Sequence, residues 1–396
     1  MAWQDMEPST LARMAVGSIV LTADPAAQSV VDEYWRWSSR AHAMVARQVA
    51  TIRDHEISVL VNTVAGAPEE PGPALELAEL LTAWFVRGGP HACRLGEVIW
   101  RTEAGSRLRA HTGQRCASRV TEVGTDELFA AIPKPPTARG RVDATVVIPF
   151  RDSAPHGVRI RNLAAVLASL SDQSHPRDRY RIVVVESDAE RRWQHLIESA
   201  CDQYLFARNP GLFNKSWAVN AGVVHAAQPT DAICVLDGDV LVDRDFIERA
   251  VRRFRLPGAP VHWPYTEILY ADERTSPVAV ASRCLQRQAQ VDQSQLRGVH
   301  VKRTPGGCIW LRSWLFTSIG GLDERLRGWG GEDMDLAWRA DLFGGVERHM
   351  DGLVHLHHPR APQRDQDGKP FHNGFHWCTW PVDSRIGDLT KYSEQE

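Results

Sequence analysis

No apolar run in this chain approaches the ~20 residues that a membrane-spanning helix needs, and the opening MAWQDMEPST lacks the basic start and apolar stretch of a secretory signal. Both absences point to a cytoplasmic protein with no membrane span. Cysteine is sparse: seven residues, an odd number, with no CxxC spacing. That argues against a disulfide framework and agrees with reduced, mostly buried thiols. Neither sign of charge dominates. The formal net charge is −3 and the arginines are scattered among acids, so no basic stripe offers itself to nucleic acid. There is no internal repeat.

What is present is the composition of an ordinary globular protein, 43% hydrophobic and 24% charged over 396 residues, long enough for about two or three domains. Fourteen tryptophans are a surplus, several of them in the last third; indoles serve both core packing and sugar stacking. Residues 1–130 repeat apolar positions at three and four, as in SVVDEYWRWSSRAHAMVARQVATI and LELAELLTAWFVRGG, and predict a mainly helical domain. AIPKPPTARGRVD (131–143), with Pro133, Pro135 and Pro136, reads as a linker and sets a boundary near residue 140.

Beyond it the pattern changes. ATVVIPF (144–150), RIVVVESD (181–188) and DAICVLDGD (231–239) are short apolar runs separated by helical stretches. This is the signature of an α/β domain with a mainly parallel, doubly wound sheet, expected over 144–360 and followed by a C-terminal extension, 361–396. Ligands bind beyond the carboxyl ends of such strands. That rule selects Pro149 to Asp152, Glu186 to Asp188 and Asp237 to Asp239 as the rim of a site.

Three stretches carry possible chemistry. In LDGDV, Asp237 and Asp239 repel one another unless a cation lies between them, and such a pair can hold a divalent ion while leaving positions for phosphate oxygens. In LVHLHHPR, His355 and His357 share one face if the segment is a strand, and His358 faces away. Mixed carboxylate and imidazole ligands suit Mn2+ or a similar ion better than Mg2+. HNGFHWC, with His372, His376 and Cys378, imitates a zinc site but supplies no convincing fourth ligand. GWGGEDMD (328–335) places Glu332, Asp333 and Asp335 behind three glycines and a tryptophan. Carboxylates opening a helix stabilise it by roughly 0.3–1 kcal/mol each, yet a cap needs one acid and no Gly-Trp-Gly-Gly lead.

Taken in order, IPFRD (148–152), FNKSWAVNAG (213–222), LDGDV, GGCIWLRSWLFTSIGGLDE (306–324), GWGGEDMDL and HLHHP resemble the GT-A glycosyltransferases of the β1,4-galactosyltransferase type. Related motifs occur in chondroitin-polymerising and polypeptide GalNAc-transferase enzymes. The resemblance spans about residues 142–360 and implies a Rossmann-like GT-A fold acting on a UDP-sugar donor. It implies that Pro149, Phe150, Arg151, Phe213, Asn214 and Lys215 hold the nucleotide, with Glu186 and Asp188 on the same rim. Asp237 then faces the donor, and Asp239, His355 and His357 ligate the metal. Gly306 and Gly307 line the acceptor pocket, with Thr304 where galactose-preferring relatives carry an aromatic residue, so that a 2-acetamido sugar fits. Asp333 is the implied catalytic base, Glu332 a sugar-binding acid, and Trp329 and Gly330 belong to a loop that closes over the donor.

One base and one metal, with no carboxylate needed as nucleophile, imply a single displacement that inverts configuration. The expected enzyme is an inverting hexosyl- or N-acetylhexosaminyltransferase. Its acceptor is a saccharide, a peptide or a small metabolite, and its first domain serves acceptor recognition or homodimer formation. A metal-dependent phosphoester hydrolase and a non-catalytic sugar-nucleotide-binding subunit are the alternatives; the first leaves IPFRD and the Gly-Trp-Gly-Gly loop unexplained, and the second predicts that Asp333→Asn is tolerated.

Overall fold

The computed structural model describes residues 5–113, 123–135, 140–152 and 157–392; positions 136–139 of the expected linker lie outside the described residues. In chain order these form α1 (Pro8–Ala23), α2 (Pro25–Ser29), α3 (Asp32–Val49), α4 (His55–Gly66), α5 (Pro71–Arg87), α6 (Pro90–Gly105), β1 (Leu108–His111), α7 (Thr125–Ala131), β2 (Val142–Phe150), α8 (Val158–Ser171), β3 (Tyr180–Glu186), α9 (Gln194–Ala200), β4 (Gln203–Phe206), α10 (Lys215–Val224), β5 (Thr230–Leu236), β6 (Val240–Leu241), α11 (Phe246–Arg255), β7 (Val261–Trp263), β8 (Glu267–Ala271), α12 (Ser276–Val280), β9 (Gly298–Lys302), β10 (Cys308–Arg312), α13 (Ser313–Ser318), α14 (Glu332–Asp341), β11 (Val346–Arg348) and β12 (Val354–His355). The fold is mixed α/β with a sheet core and a helical N-terminal region, as the sequence pattern implies. No described helix is long and apolar enough to cross a membrane.

The chain divides into two compact units: Met1–Thr121 with Glu267–Val278 and Asp292–Arg303, and Glu122–Thr266 with Ala279–Val291 and Thr304–Glu396. These do not coincide with the segments 1–130 and 144–360. In the first unit the helices bury Leu11, Val16, Val45, Leu77, Leu81 and Leu95. Their ends follow local rules: Asp54 caps α4 by accepting from Ile57 N at 3.2 Å, and α5 stops at Gly88, φ +70°. β1 then pairs antiparallel with β9, and β9 with β8. Helical periodicity gives no sign of strands whose partners lie so far along the chain.

In the second unit the strand order is β11-β7-β10-β5-β2-β3-β4. β2 runs parallel to β3 and β5, while β10 is antiparallel to β5 and β7. The unbroken apolar runs of β2, β3 and β5 are buried because helices lie on the sheet. Parallel pairing brings the carboxyl ends of β2, β3 and β5 to one edge. The C-terminal stretch belongs to this unit: Tyr392 packs edge-on to Trp217 at 4.7 Å, and Trp217 Nε1 donates to Asp388 O at 2.9 Å.

Candidate active site

The sheet edge delivers Asp237 and Asp239 directly after β5, in a turn tied to the Gly306–Gly307 segment by Asp237 N donating to Gly307 O at 2.9 Å. Immediately after Asp239, β6 pairs antiparallel with β12, His355 opposite Val240, and Leu356 N donates to Asp239 O at 2.8 Å. That short ladder carries the histidine motif to the aspartate. His355 Nε2 lies 3.3 Å from Asp239 Oδ1, and His358 Nε2 lies 2.9 Å from Asp239 Oδ2.

His358, and not His357, therefore joins the cluster. β12 ends at His355, so the two-residue alternation that pairs 355 with 357 stops there. Beyond it the chain turns, with Asn162 Nδ2 holding His357 O at 3.0 Å. Among the described residues, Asp239, His355 and His358 form a group whose ligand atoms all lie within 4.8 Å of one another. His372, His376 and Cys378 are not brought into any such group among the described residues.

These three residues fit a cation. Each Nδ1 faces a backbone carbonyl, His355 that of Leu356 and His358 that of Pro359, both at 2.9 Å. If those contacts are N–H donations, each Nε2 lone pair points at the carboxylate, an arrangement that needs a positive charge between the groups. Burial pushes His355 down to about 3, keeping it neutral. Burial opposes charging Asp239, but His355 and His358, when protonated, and Arg159 outweigh it and hold the carboxyl well below its usual range. Arg159, near the start of α8, has Nη1 at 3.8 Å from Asp239 Oδ2 and was not anticipated from the sequence. The one signal there was a basic residue at a helix N-terminus after β2.

The second half of the site centres on Lys215. Its ammonium lies 2.8 Å from Asp237, 2.9 Å from Asp333 and 3.5 Å from Glu332. Asn214 places it there: this buried residue caps α10 through Trp217 N at 2.8 Å and anchors its own amide to Glu324 O and Tyr392 Oη. Asn214 is thus a structural cap. Burial, with Glu332 and Asp237 nearby, pushes the Asp333 carboxyl well up against the pull of Lys215. Burial disfavours the Lys215 charge, but the acids more than reverse that and raise its pKa. Burial also raises Asp237, helped by Asp239 and opposed by Lys215.

Glu332 and Asp333 open α14, whose N-cap is Gly331 at φ +95°. The acids therefore serve the helix terminus and the cluster at once. Gly306 is open toward them: a Cβ there would stand 2.6 Å from Asp333 Oδ2. Thr304 Oγ1 accepts from Gly306 N at 3.4 Å, and the Tyr265 hydroxyl donates to Gly306 O. Gly328 N donates to Phe213 O at 2.8 Å, joining the loop that carries Trp329 and Gly330 to the Phe213 segment.

The remaining rim residues are occupied elsewhere. Arg151 donates to the carbonyls of Ser187, Asn209 and Gly211 at 2.5–2.6 Å and lies over the Phe213 ring, so it shapes the loop while Lys215 supplies the cation among the acids. Glu186 accepts from Arg192 N, Trp193 N and the Tyr204 hydroxyl. Asp188 accepts from Ala189 N and pairs with Arg192. Pro149 and Phe150 are buried in β2 beside Val185 and Glu186.

Residues 145–313 match the sequence profile of a family described as Glycosyl transferase family 2, and residues 289–359 that described as N-terminal domain of galactosyltransferase. The pre-mycofactocin glycosyltransferases of Mycobacterium tuberculosis strains CDC 1551 / Oshkosh and ATCC 25618 / H37Rv are each 29% identical over 250 residues, 62% of this chain and 49% of theirs. The chain thus spans about half the length of the curated relatives it matches. Among solved structures, the mannosyltransferase PcManGT from Pyrobaculum calidifontis, in complex with GDP-Man and Mn2+, aligns with TM-score 0.37 and 19% identity over 57% of this chain and 59% of that one. The catalytic domain of Drosophila β1,4-galactosyltransferase 7, in complex with xylobiose, aligns with TM-score 0.36 and 16% identity over 57% and 76%. On the sequence profiles, residues 145–313 are similar to glycosyltransferase family 2 and the overlapping residues 289–359 to a galactosyltransferase domain.

Proposed function

We propose that the chain transfers a hexose or N-acetylhexosamine from a UDP-sugar to an acceptor hydroxyl, with inversion and with a divalent cation such as Mn2+. The observation that carries this reading is the meeting of two motifs from distant parts of the chain: Asp237 and Asp333 share Lys215 at 2.8 and 2.9 Å, next to the Asp239 cluster. Asp239, His355 and His358 would hold the cation, which when bound helps neutralise charge developing on a diphosphate leaving group. Lys215 sits where it can pass from the carboxylates to that diphosphate. Asp333, freed of its partner, accepts the proton of the attacking hydroxyl, and its raised pKa favours that transfer. Gly306 leaves Asp333 uncovered on the acceptor side, and Glu332 is placed to accept a hydrogen bond from a sugar hydroxyl. Trp329 and Gly330 close over the donor, excluding water.

The direct test is thermal unfolding with UDP-hexoses, UDP-N-acetylhexosamines and GDP-mannose, with and without Mn2+. A ligand at 100 times its Kd adds about 2.7 kcal/mol. Absence of any Mn2+-dependent shift refutes the reading, and a shift with GDP-mannose alone refutes the uridine part of it. NMR of the first-formed product then decides the stereochemistry, since retention of the donor's anomeric configuration excludes single displacement.

A further inference from the structure

The HNGFHWC stretch and the tryptophan surplus have no part in the chemistry above, yet they meet beside it. α14 turns Asp333 inward to Lys215 and leaves Met334 and Trp338, four residues apart on one side, 37% and 44% exposed. Trp377 stands edge-on to Trp338, ring centroids 5.8 Å apart at 86°. The Trp377 indole also lies against Gly331, where a Cβ would come within 2.6 Å of it. Phe375 backs Trp377 at 5.1 Å. His372, 6.4 Å from Trp377, leans on the Gly330 backbone within the field of Glu332. Its Nε2 is buried and has no hydrogen-bond partner among the described residues.

We propose that this right-angled pair of indoles, with His372 at its inner edge, is a carbohydrate subsite: the acceptor is a saccharide of two or more rings, and a ring adjoining the reacting one packs in the corner of Trp338 and Trp377. The inference rests on the glycosyltransferase reading and names its acceptor class. A pyranose has an apolar CH face and a polar rim. An indole buries the former at little entropic cost, and His372, on turning its ring outward, gives its unpartnered Nε2 to the latter. A purely apolar ligand would use the rings and leave that buried nitrogen without a partner. The site is continuous with the reaction centre, because Trp377 touches Gly331 and the next two residues are Glu332 and Asp333.

The test is calorimetric titration of the full chain, saturated with UDP and Mn2+, with α- and β-linked disaccharides, their monosaccharides and 1-hexanol. At least one disaccharide is expected to bind more tightly than its monosaccharide, with Trp338→Ala weakening it about tenfold. Trp338→Phe retains most of that affinity, and both variants bind UDP as the wild type does. The subsite is overturned if UDP binds but no disaccharide exceeds its monosaccharide, if Trp338→Ala binds that disaccharide unchanged, or if hexanol competes for the site with equal affinity. Failure of UDP to bind the wild type overturns the underlying reading instead, and shows in the first titration.

Discussion

Replacing Lys215 by Met keeps the aliphatic stem and removes the charge that three carboxylates share. At an effective dielectric near 20, an ion pair 2.8 Å apart gains about 6 kcal/mol before desolvation and mutual acid repulsion are set against it. Lys215, Glu332 and Asp333 keep only 11–12% of their side-chain surface exposed, so water does little to screen what is left behind. Removing one partner from a buried ion pair costs about 3–5 kcal/mol. In a unit of this size that corresponds to roughly 6–20 °C in Tm.

The pH dependence has a definite sign. Native Asp333 already titrates above its ordinary value, so its contribution favours folding at low pH and is lost as pH rises through the native pKa. Without the ammonium that native pKa rises further. The stability gap between Lys215→Met and wild type therefore narrows as pH falls toward the ordinary carboxylate range, and Lys215→Met combined with Asp333→Asn recovers part of the loss. Thermal and urea unfolding between pH 5 and pH 8 measure this. A loss under about 1 kcal/mol at neutral pH, or a gap that widens on acidification, would show that the acids do not depend on Lys215.

Gly306→Ala pushes a methyl to 2.6 Å from Asp333 Oδ2; displacement of the base is expected to lower kcat about 10²-fold, with Tm within a few degrees of wild type, and full activity would mean that Asp333 moves away during reaction. His358→Ala is expected to weaken Mn2+ binding by about tenfold or more while His357→Ala leaves it nearly unchanged; calorimetric Mn2+ titration of both discriminates, and the reverse order would restore the alternating-strand ligand set. Asp333→Asn is expected to lower kcat by about 10²–10⁴ with Tm unchanged or raised, since burial disfavours its charge. In the wild type, kcat/KM should rise with pH through a value above the ordinary carboxylate range, and a profile flat down to pH 4 argues against this base.

The buried strands β2, β3 and β5 were legible because, in the parallel part of the sheet, their residues are buried almost without a break and read as continuous apolar runs such as ATVVIPF. The same periodicity located the carboxyl-end rim, since it fixes where each strand stops. Asp237, Asp239, Glu332 and Asp333 stood out in LDGDV and GWGGEDMD, and Lys215 through the family resemblance; the structure brings Asp237, Glu332 and Asp333 around Lys215 and sets Asp239 with His355 and His358. The hydrogen-bonding roles of Arg151 and Glu186, the ion pair of Asp188 and the capping role of Asn214 were not legible. An arginine destined for a phosphate and one that binds three carbonyls look alike until the loop is folded.

Sequence alone determined the helical character of most of the N-terminal region, the buried strands β2, β3 and β5, and the acids and imidazoles available for chemistry, because hydrophobic periodicity and residue type are local properties. Tertiary structure alone decided which imidazole faces Asp239. The two-residue strand β12 ends at His355, and the turn beyond it, held by Asn162, presents His358. It also decided that Lys215 stands between Asp237 and Asp333, and that residues 267–278 and 292–303 join the N-terminal helices. Strand pairing and ion pairing act between residues that are neighbours in space, and no local period in the chain records those distances.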